Sequence, residues 1–172
     1  MAYAARHIFK KEVLIISSDK DFLQLVDDRI SVYLPTKKKM MFKEDVKELY
    51  GVPSKNLVYY RIFDGDKSDN IPGVRGIGPK TLINKLDFLQ SDGLTLDTLL
   101  EKVSQMDDEK LKNKILEHTD TLKLNYDLMQ LSEPIMGSAI TSNVRNIIDT
   151  PINGLNSFEF KKEFMVDKLY TA

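Results

Sequence analysis

The stretch "GVRGIGPKT" at residues 73–81 constrains this chain more than any other feature. Glycines allow a sharp backbone turn, and Pro79 is favoured in the first turn of a helix. The same glycines let backbone N–H groups come close to a phosphate at the start of that helix. The stretch therefore predicts two helices joined by a turn that can accept a phosphate. A shorter Gly-x-Gly alone would indicate only a connecting turn.

Basic residues accompany this turn, although the whole chain has a net charge of −1. Attraction to nucleic acid must therefore come from a local patch. Such contacts would go to the phosphate backbone and carry no base code. From the residues alone, the candidate phosphate contacts are the N–H groups of Gly76 and Gly78 and the charges of Arg75, Lys80 and Lys85.

Two carboxylates, Asp66 and Asp69, come just before the turn in "GDKSDN". A spacing of three places both on one side of a helical turn, and Asp64 adds a third acid nearby. A cap with an Asx-turn is the simpler interpretation of this pattern. The position directly before a phosphate-accepting turn favours a functional interpretation.

A second acidic pair, Asp19 and Asp21, lies where the predicted strand "EVLIISS" passes into a helix. Ligands of open α/β sheets bind at the carboxyl ends of strands, so both side chains can point into one cleft. Taken alone, the pair is better explained by a helix cap and a residue that interacts with the helix dipole.

Together, the two acidic pairs raise the case for a metal site. Clustered carboxylates repel one another unless a positive charge offsets them, and Mg²⁺ or Mn²⁺ with oxygen ligands is the usual solution. Two such ions about 4 Å apart can hold the attacking and leaving oxygens of a phosphodiester. We therefore predict that Asp19, Asp21, Asp66 and Asp69 bind a two-metal centre.

Hydrophobic periodicity predicts a small α/β portion followed by helices. "EVLIISS" is typical of a buried parallel strand, "ISVYLP" of a second strand and "MMF" of a return strand after an exposed lysine turn at residues 37–39. Helices are predicted for "AYAARHIF", "DKDFLQLVDD", "KEDVKELYG" ending at Gly51, "SKNLVYYRIF" capped by Ser54, and "KTLINKL".

From residue 94 onward the pattern is helical. The predicted helices are "TLDTLLEKVSQM", one long helix "DDEKLKNKILEHTDTLKLNYDLMQL", a weaker "TSNVRNII" and an amphipathic tail "SFEFKKEFMVDKL".

Composition narrows the classes of protein to which the chain could belong. The 172 residues suit one domain, or a domain with a small appendage. The absence of cysteine excludes disulfides and thiolate metal sites, and no apolar run reaches the roughly 20 residues of a membrane span. His7 and His118 lack a ligand pattern, and Tyr59, Tyr60 and Phe63 are typical of core residues.

The order and separation of "VLIISSDKDFLQLV", "YGVP" and "GDKSDNIPGVRGIGPKT" resemble the 5′-nuclease superfamily. That group includes phage ribonuclease H-type 5′-3′ exonucleases, flap endonucleases and the 5′-nuclease domain of bacterial DNA polymerase I. The resemblance is specific over residues 13 to 86 and looser in the tail, where "NYDLMQLSEPI" is most similar to the phage type.

The resemblance implies roles for individual residues. Asp19 and Asp21 match the acidic pair after the strand, and Asp66 and Asp69 match the pair usually assigned to a second metal. Residues 73–81 match the helix-three-turn-helix element that grips duplex DNA and in several members binds K⁺. The resemblance therefore implies DNA-binding roles for Gly73, Val74, Arg75, Gly76, Ile77, Gly78, Lys80, Thr81 and, just beyond them, Lys85. The family hydrolyses phosphodiesters at 5′ ends or 5′ flaps, or removes RNA primers, with Mg²⁺ or Mn²⁺.

The implied fold is part of a parallel-sheet (PIN-like) α/β nuclease core at residues 1–63, followed by a DNA-binding helical region at residues 64–172. Family members have a longer N-terminal part with further acids, so we expect this chain to be the C-terminal portion of such an enzyme. The sequence does not predict whether these residues cleave a phosphodiester by themselves. Expected partners are duplex, nicked or 5′-flap DNA or an RNA–DNA hybrid, a separate N-terminal portion and replication proteins, in the cytoplasm and without a membrane.

Two alternatives remain. The chain could be a non-catalytic helix-hairpin-helix module that binds duplex DNA, with the acids in structural roles only. It could also be a phosphotransfer or glycosyl-transfer enzyme that holds Mg²⁺ at "SDKD". The second alternative does not explain the glycine-rich stretch.

Overall fold

The computed structural model describes residues 1–133, 136–151, 156, 158 and 162. The chain divides into two compact units, Met1–Ile135 and Met136–Ala172. The predicted functional boundary at residue 63 falls inside the first unit and stays a prediction. None of the helices in the described ranges is long and apolar enough to cross a membrane.

A three-stranded sheet organises the N-terminal third of the described chain. Strand β1 (Val13–Ile16) pairs in parallel with β2 (Ile30–Leu34), and β2 pairs antiparallel with β3 (Lys39–Met41). Ile15 lies opposite Val32, and Tyr33 lies opposite Met40. These pairings confirm the predicted parallel strand and its return strand.

The prediction that β1 is fully buried is wrong for one face of the sheet. Ile15 is 4% exposed, whereas Leu14 and Ile16 are 52% and 62% exposed. Successive side chains alternate between faces, and β1 lies at the edge of the sheet, so the described residues bury only the face that carries Ile15. Parallel strands usually have both faces covered. The sheet therefore presents an apolar surface at Leu14 and Ile16.

The helical elements follow the predicted order. The α-helices are α1 (Lys43–Tyr50), α2 (Leu57–Asp64), α3 (Pro79–Lys85), α4 (Leu96–Ser104), α5 (Glu109–Leu116), α6 (Thr119–Met129) and α7 (Ser138–Asp149). A π-helical segment spans Ala4–Ile8, and short 3₁₀ helices span Lys20–Leu25, Pro35–Lys37, Ser54–Asn56 and Asp87–Gln90. The predicted tail helix lies outside the described residues except at Phe158 and Lys162.

Two of three predicted helix boundaries are confirmed. Gly51 ends α1 with a φ of +72°, and Pro79 occupies the first turn of α3. The predicted cap at Ser54 is wrong, because a 3₁₀ turn precedes α2 and the buried Ser54 hydroxyl has no hydrogen-bond partner among the described residues. Asn56 holds this corner instead, since its Nδ2 donates to the carbonyls of Leu89 and Ser91 at 2.8 Å each.

The single long helix predicted after residue 106 is wrong, because it divides into α5 and α6. Asp108 caps α5 by accepting from Leu111 N–H at 3.1 Å, and α5 ends before His118. Ile115 of α5 and Leu122 of α6 are both fully buried. The break lets both helices turn an apolar face to the same core, which a straight helix could not do.

Helix α2 lies at the centre of this core. Six of its eight residues are buried, among them Tyr59, Tyr60 and Phe63, as the sequence predicted. The Tyr59 hydroxyl donates to Leu94 O at 3.0 Å, and burial raises the pKa of Tyr59. Its ring stacks on that of Tyr126 in α6 with 5.7 Å between centroids. The end of α2 is therefore a fixed support for the next segment of the chain.

Candidate metal and nucleic-acid site

Asp19 and Asp21 follow β1 but make different contacts. Asp19 caps the 3₁₀ helix by accepting from Asp21 N–H at 2.8 Å, so its simpler interpretation is confirmed as its local role. The Asp21 carboxylate has no such contact and lies 3.1 Å from Nη2 of Arg61. Asp21 therefore faces the end of α2.

Asp66 and Asp69 lie on a hairpin formed by β4 (Gly65–Asp66) and β5 (Ile71–Pro72). The prediction that a helical turn aligns them is wrong. Oδ1 of Asp66 instead accepts from Ser68 N–H at 2.8 Å and from the Ser68 hydroxyl, which is an Asx-turn. The tight turn still brings the Asp69 carboxylate back beside that of Asp66.

Two glycines fix this hairpin against the end of α2. A Cβ built on Gly65 would lie 2.4 Å from Gly73 N, and one built on Gly73 would lie 2.4 Å from Phe63 O. Val74 N–H donates to the same Phe63 carbonyl at 2.8 Å. Backbone packs directly on backbone here, which leaves no room for a side chain. The geometry thus gives Gly73 a packing role, while its predicted contact with DNA stays a prediction.

The four predicted acids line one cleft of about 420 Å³. The cleft is lined by Ser18, Asp19, Lys20, Asp21, Arg61, Asp66, Ser68 and Asp69. One carboxylate oxygen each from Asp21, Asp66 and Asp69 lies within 4.8 Å of the others, and Asp19 is outside this closest group. The structure thus brings together residues that are almost fifty positions apart in the sequence.

The sequence analysis missed Arg61, which lies among these acids. Its guanidinium forms ion pairs with both Asp21 and Asp66, and its side chain is only 15% exposed. A single positive charge on the otherwise apolar helix "LVYYRIFD" was the available signal. Burial alone would lower the pKa of Arg61, but the charges of Asp21 and Asp66 raise it overall.

The two carboxyls that share Arg61 respond in opposite directions. Burial raises the pKa of Asp21, and Arg61 only partly offsets this while Asp19 and Asp66 add to it. Hydrogen bonds from Ser68 and then Arg61 lower the pKa of Asp66 to about 2. Asp66 is therefore the better stabilised anion.

The donor set fits a divalent cation. All three closest donors are carboxylate oxygens, which Mg²⁺ and Mn²⁺ prefer. Oδ1 of Asp21 is buried and accepts no well-directed hydrogen bond within the described chain, although Arg61 is near. A buried carboxylate oxygen that lacks a well-directed hydrogen bond, in a cluster of acids, is a suitable metal ligand.

The glycine turn, residues 73–78, follows the hairpin and leads into α3. Gly76 has a φ of +77°, and a Cβ on Gly78 would meet nothing within 4 Å. Within the described chain neither Gly76 N–H nor Gly78 N–H donates a hydrogen bond. Val74 and Ile77 are 2% and 4% exposed, so their side chains anchor the turn in the core.

The predicted basic residues surround this turn at the surface. Arg75, Lys80 and Lys85 are exposed, and Lys85 lies 3.5 Å from Asp108. Thr81 N–H bonds to Gly78 O at 2.9 Å and is used inside the first turn of α3. These residues and K⁺ at the turn remain predicted binding contacts.

Lys114 of α5 was also missed. Its Nζ lies so close to the turn that a Cβ on Gly76 would come within 2.6 Å of it. No local pattern links two residues this far apart, so the sequence held no signal for the contact.

A second cavity, of about 530 Å³, shares no residue with the cleft. Two of its lysines are paired, Lys43 with Asp28 and Lys55 with Asp92. Among the described residues, this cavity holds no group of three acids close enough to share a metal ion.

A family model described as 5′-3′ exonuclease, C-terminal SAM fold, matches residues 52–146, which is more than half of the chain. The chain belongs to this 5′-3′ exonuclease family. The match includes α2, the hairpin with Asp66 and Asp69, the glycine turn and most of α7.

The relatives of this exonuclease-family chain are longer proteins, and the chain matches only a part of each. It is 38% identical over 120 residues to thermostable DNA polymerase I of Thermus filiformis, covering 70% of this chain and 14% of that one. It is 33% identical over 125 residues to the flap endonuclease Xni of Pseudoalteromonas translucida, covering 69% of this chain and 49% of that one. The chain thus spans a small part of the polymerase and about half of the endonuclease.

A solved structure shares the α/β and helical fold of this chain. The bacteriophage T5 D15 flap endonuclease, crystallised with DNA and metal ions, superimposes with a TM-score of 0.63 at 23% identity. The match covers 76% of this chain and 47% of the phage protein. These comparisons confirm the predicted superfamily and fold class.

Proposed function

We propose that this chain forms the metal-binding and duplex-binding C-terminal part of a 5′-nuclease that hydrolyses phosphodiesters at 5′ ends or 5′ flaps. The observation that carries the proposal is the cluster of Asp21, Asp66 and Asp69 carboxylates, in which Asp66 and Asp69 come directly before a glycine turn with unused N–H groups. The family and its flap-endonuclease relative support the same chemistry.

Asp21, Asp66 and Asp69 would hold divalent metal, and Asp19 lines the same cleft outside this closest group. Metal bound there supplies charge neutralisation for the phosphate and activation of water. Ser68 keeps Asp66 ionised, since its N–H and hydroxyl both donate to that carboxylate. The rigid Gly65–Gly73 packing holds two of the acids at a constant position relative to the turn.

The glycine turn would bind the backbone of a duplex and thereby position its 5′ end. Gly76 and Gly78 offer N–H groups, and Arg75, Lys80 and Lys85 offer charge. Such binding is independent of base sequence and weakens with salt. The hairpin runs directly into the turn and packs closely through Gly65 and Gly73, which would hold bound phosphates near the acids.

A non-catalytic duplex-binding module is the second candidate. One observation favours it: Arg61 already neutralises part of the acidic cluster without metal. In that case the acids serve stability alone, and the chain binds DNA without cleaving it.

Cleavage assays separate the two candidates. The chain is incubated with a labelled 5′-flap duplex, a nicked duplex or an RNA–DNA hybrid and with Mn²⁺ or Mg²⁺, alone and mixed with the N-terminal half of the Xni relative. The nuclease proposal expects Mn²⁺ binding that Asp69→Asn abolishes, and cleavage in at least one mixture that the same change abolishes. Asp120→Asn, an exposed acid on α6, is the matched control. Duplex binding without Mn²⁺ binding or cleavage would support the module.

A further inference from the structure

Arg61 is the basic residue of a helix whose remaining residues are buried or close its end. Its side chain crosses from α2 into the cleft and contacts acids from two separate elements, the 3₁₀ helix after β1 and the β4–β5 hairpin. A solvent-directed arginine would need neither contact. The contacts of Arg61 therefore assign its side chain to the cleft rather than to the solvent-facing surface.

The local charges explain why a cation is needed there. Three carboxylates have oxygens within 4.8 Å of one another, and among the described residues Arg61 is the cation that forms ion pairs with two of them, Asp21 and Asp66. Repulsion between such close carboxylates disfavours the ionised cluster unless positive charge lies between them. In the metal-free chain, Arg61 supplies the nearest positive charge among the described residues.

The contacts of Arg61 are incomplete, however. One nitrogen, Nη2, serves both Asp21 and Asp66, while buried Nε has no partner among the described residues. A stable arginine–carboxylate pair normally uses two parallel N–H bonds. The guanidinium thus offsets the charge of the cluster but leaves its own Nε–H and the buried Oδ1 of Asp21 without a well-directed hydrogen bond.

We propose that Arg61 is a surrogate cation: it holds the Asp21 and Asp66 carboxylates together in the metal-free protein and competes with divalent metal for the same oxygens. This inference rests on the proposed metal site. Metal binding then exchanges the guanidinium for the ion, and Arg61 becomes free to turn toward an incoming phosphate. Arg61 is a positioning residue that sets metal affinity through the carboxylates.

Two variants test the exchange. Arg61→Gln removes the charge, and Arg61→Lys keeps it but replaces the planar guanidinium by a single ammonium group. Thermal unfolding is followed in EDTA and in Mn²⁺, and the Mn²⁺ dissociation constant is measured by calorimetry. Lys43→Gln, which breaks the Lys43–Asp28 pair outside the cleft, is the matched control.

The expected result for Arg61→Gln is a lower Tm in EDTA, roughly tenfold tighter Mn²⁺ binding and a larger Tm increase on adding Mn²⁺. Arg61→Lys should fall between Gln and wild type, and Lys43→Gln should leave Mn²⁺ affinity unchanged. Weaker Mn²⁺ binding in Arg61→Gln, or an unchanged Tm in EDTA, overturns the surrogate role.

These measurements distinguish failure of the surrogate role from failure of the proposed metal site. Mn²⁺ binding that depends on Asp69 but weakens in Arg61→Gln retains the metal site and rejects the surrogate. Failure of both wild type and Arg61→Gln to bind Mn²⁺ rejects both. A double-mutant cycle of Arg61→Gln with Asp66→Asn in EDTA adds a metal-free measurement, because the Tm loss from Arg61→Gln should shrink once Asp66 carries no charge. Full additivity would contradict the proposal.

Discussion

Nζ of Lys114 lies against Gly76, so close that a Cβ on the glycine would come within 2.6 Å of it. The two residues belong to α5 and the glycine turn, and their contact places a cation beside Gly76, whose N–H donates no hydrogen bond within the described chain. No ion pair involves Lys114 within the described chain, whereas Lys112, two residues earlier, pairs with Glu109.

Lys114→Ala should therefore weaken duplex binding for all DNA sequences. It should also reduce the slope of log K against log[salt] by about one. Lys112→Ala is the control, since its ammonium is already paired. Fluorescence anisotropy across a salt series measures both slopes. Equal slopes for the two variants would contradict a phosphate contact at Lys114.

Gly76→Ala should destabilise the chain by about 1–2 kcal/mol, because an L-residue at a φ of +77° is strained and its Cβ would meet Lys114. Gly78→Ala should cost less, since Gly78 has a φ of −112° and open space around it. Urea unfolding of both variants checks the difference. The double variant Gly76→Ala/Lys114→Ala should recover the steric part of the loss but not the backbone part.

Asn125 connects α6 to the candidate site. It is 1% exposed, and its Nδ2 donates to Ile62 O at 2.9 Å and to Pro72 O at 2.8 Å. Asn125→Ala leaves both carbonyls unpaired and should lower the free energy of unfolding by about 2–3 kcal/mol. It should also weaken Mn²⁺ binding, because Pro72 belongs to the hairpin that carries Asp66.

Exposed Asn113→Ala serves as the control for that change. Chemical denaturation and calorimetry are the measurements. A loss of stability without a loss of Mn²⁺ affinity would show that Asn125 does not position the hairpin.

Asp45 should give the stability a defined pH dependence. A hydrogen bond from Lys39, 2.7 Å away, and one from Phe42 N–H lower the pKa of Asp45. A carboxyl with a lowered pKa stabilises the fold above its unfolded pKa, near 4, and loses this effect as pH falls through its folded pKa. The Lys39 side chain is exposed, so water screens this pair and its contribution to stability is small.

Asp45→Asn should accordingly lower the Tm at pH 7, and the difference from wild type should shrink as the pH falls below 4 and through the lowered pKa of folded Asp45. Thermal unfolding across this range tests the prediction. A constant difference between the two proteins at all pH values would assign the effect to hydrogen bonding rather than charge.

Local sequence signals predicted much of the fold. Pro79 at the start of α3 and Gly51 at the end of α1 act through their own backbone dihedrals, so they operate wherever the chain places them. Strand alternation depends only on neighbouring residues as well. For this reason the sequence predicted the strands and most of the helices. It also showed that the acids come before the glycine turn.

Packing between distant residues decided the remainder. The sequence identified Asp21 and Asp66 as candidates, but only the folded chain places Arg61 between them and Lys114 beside Gly76. Exposure of Leu14 likewise depends on which elements cover the sheet. Such contacts arise from the summed burial of many side chains, which no short pattern encodes. The sequence thus specified which groups carry the chemistry, and the tertiary structure decided which charges face them.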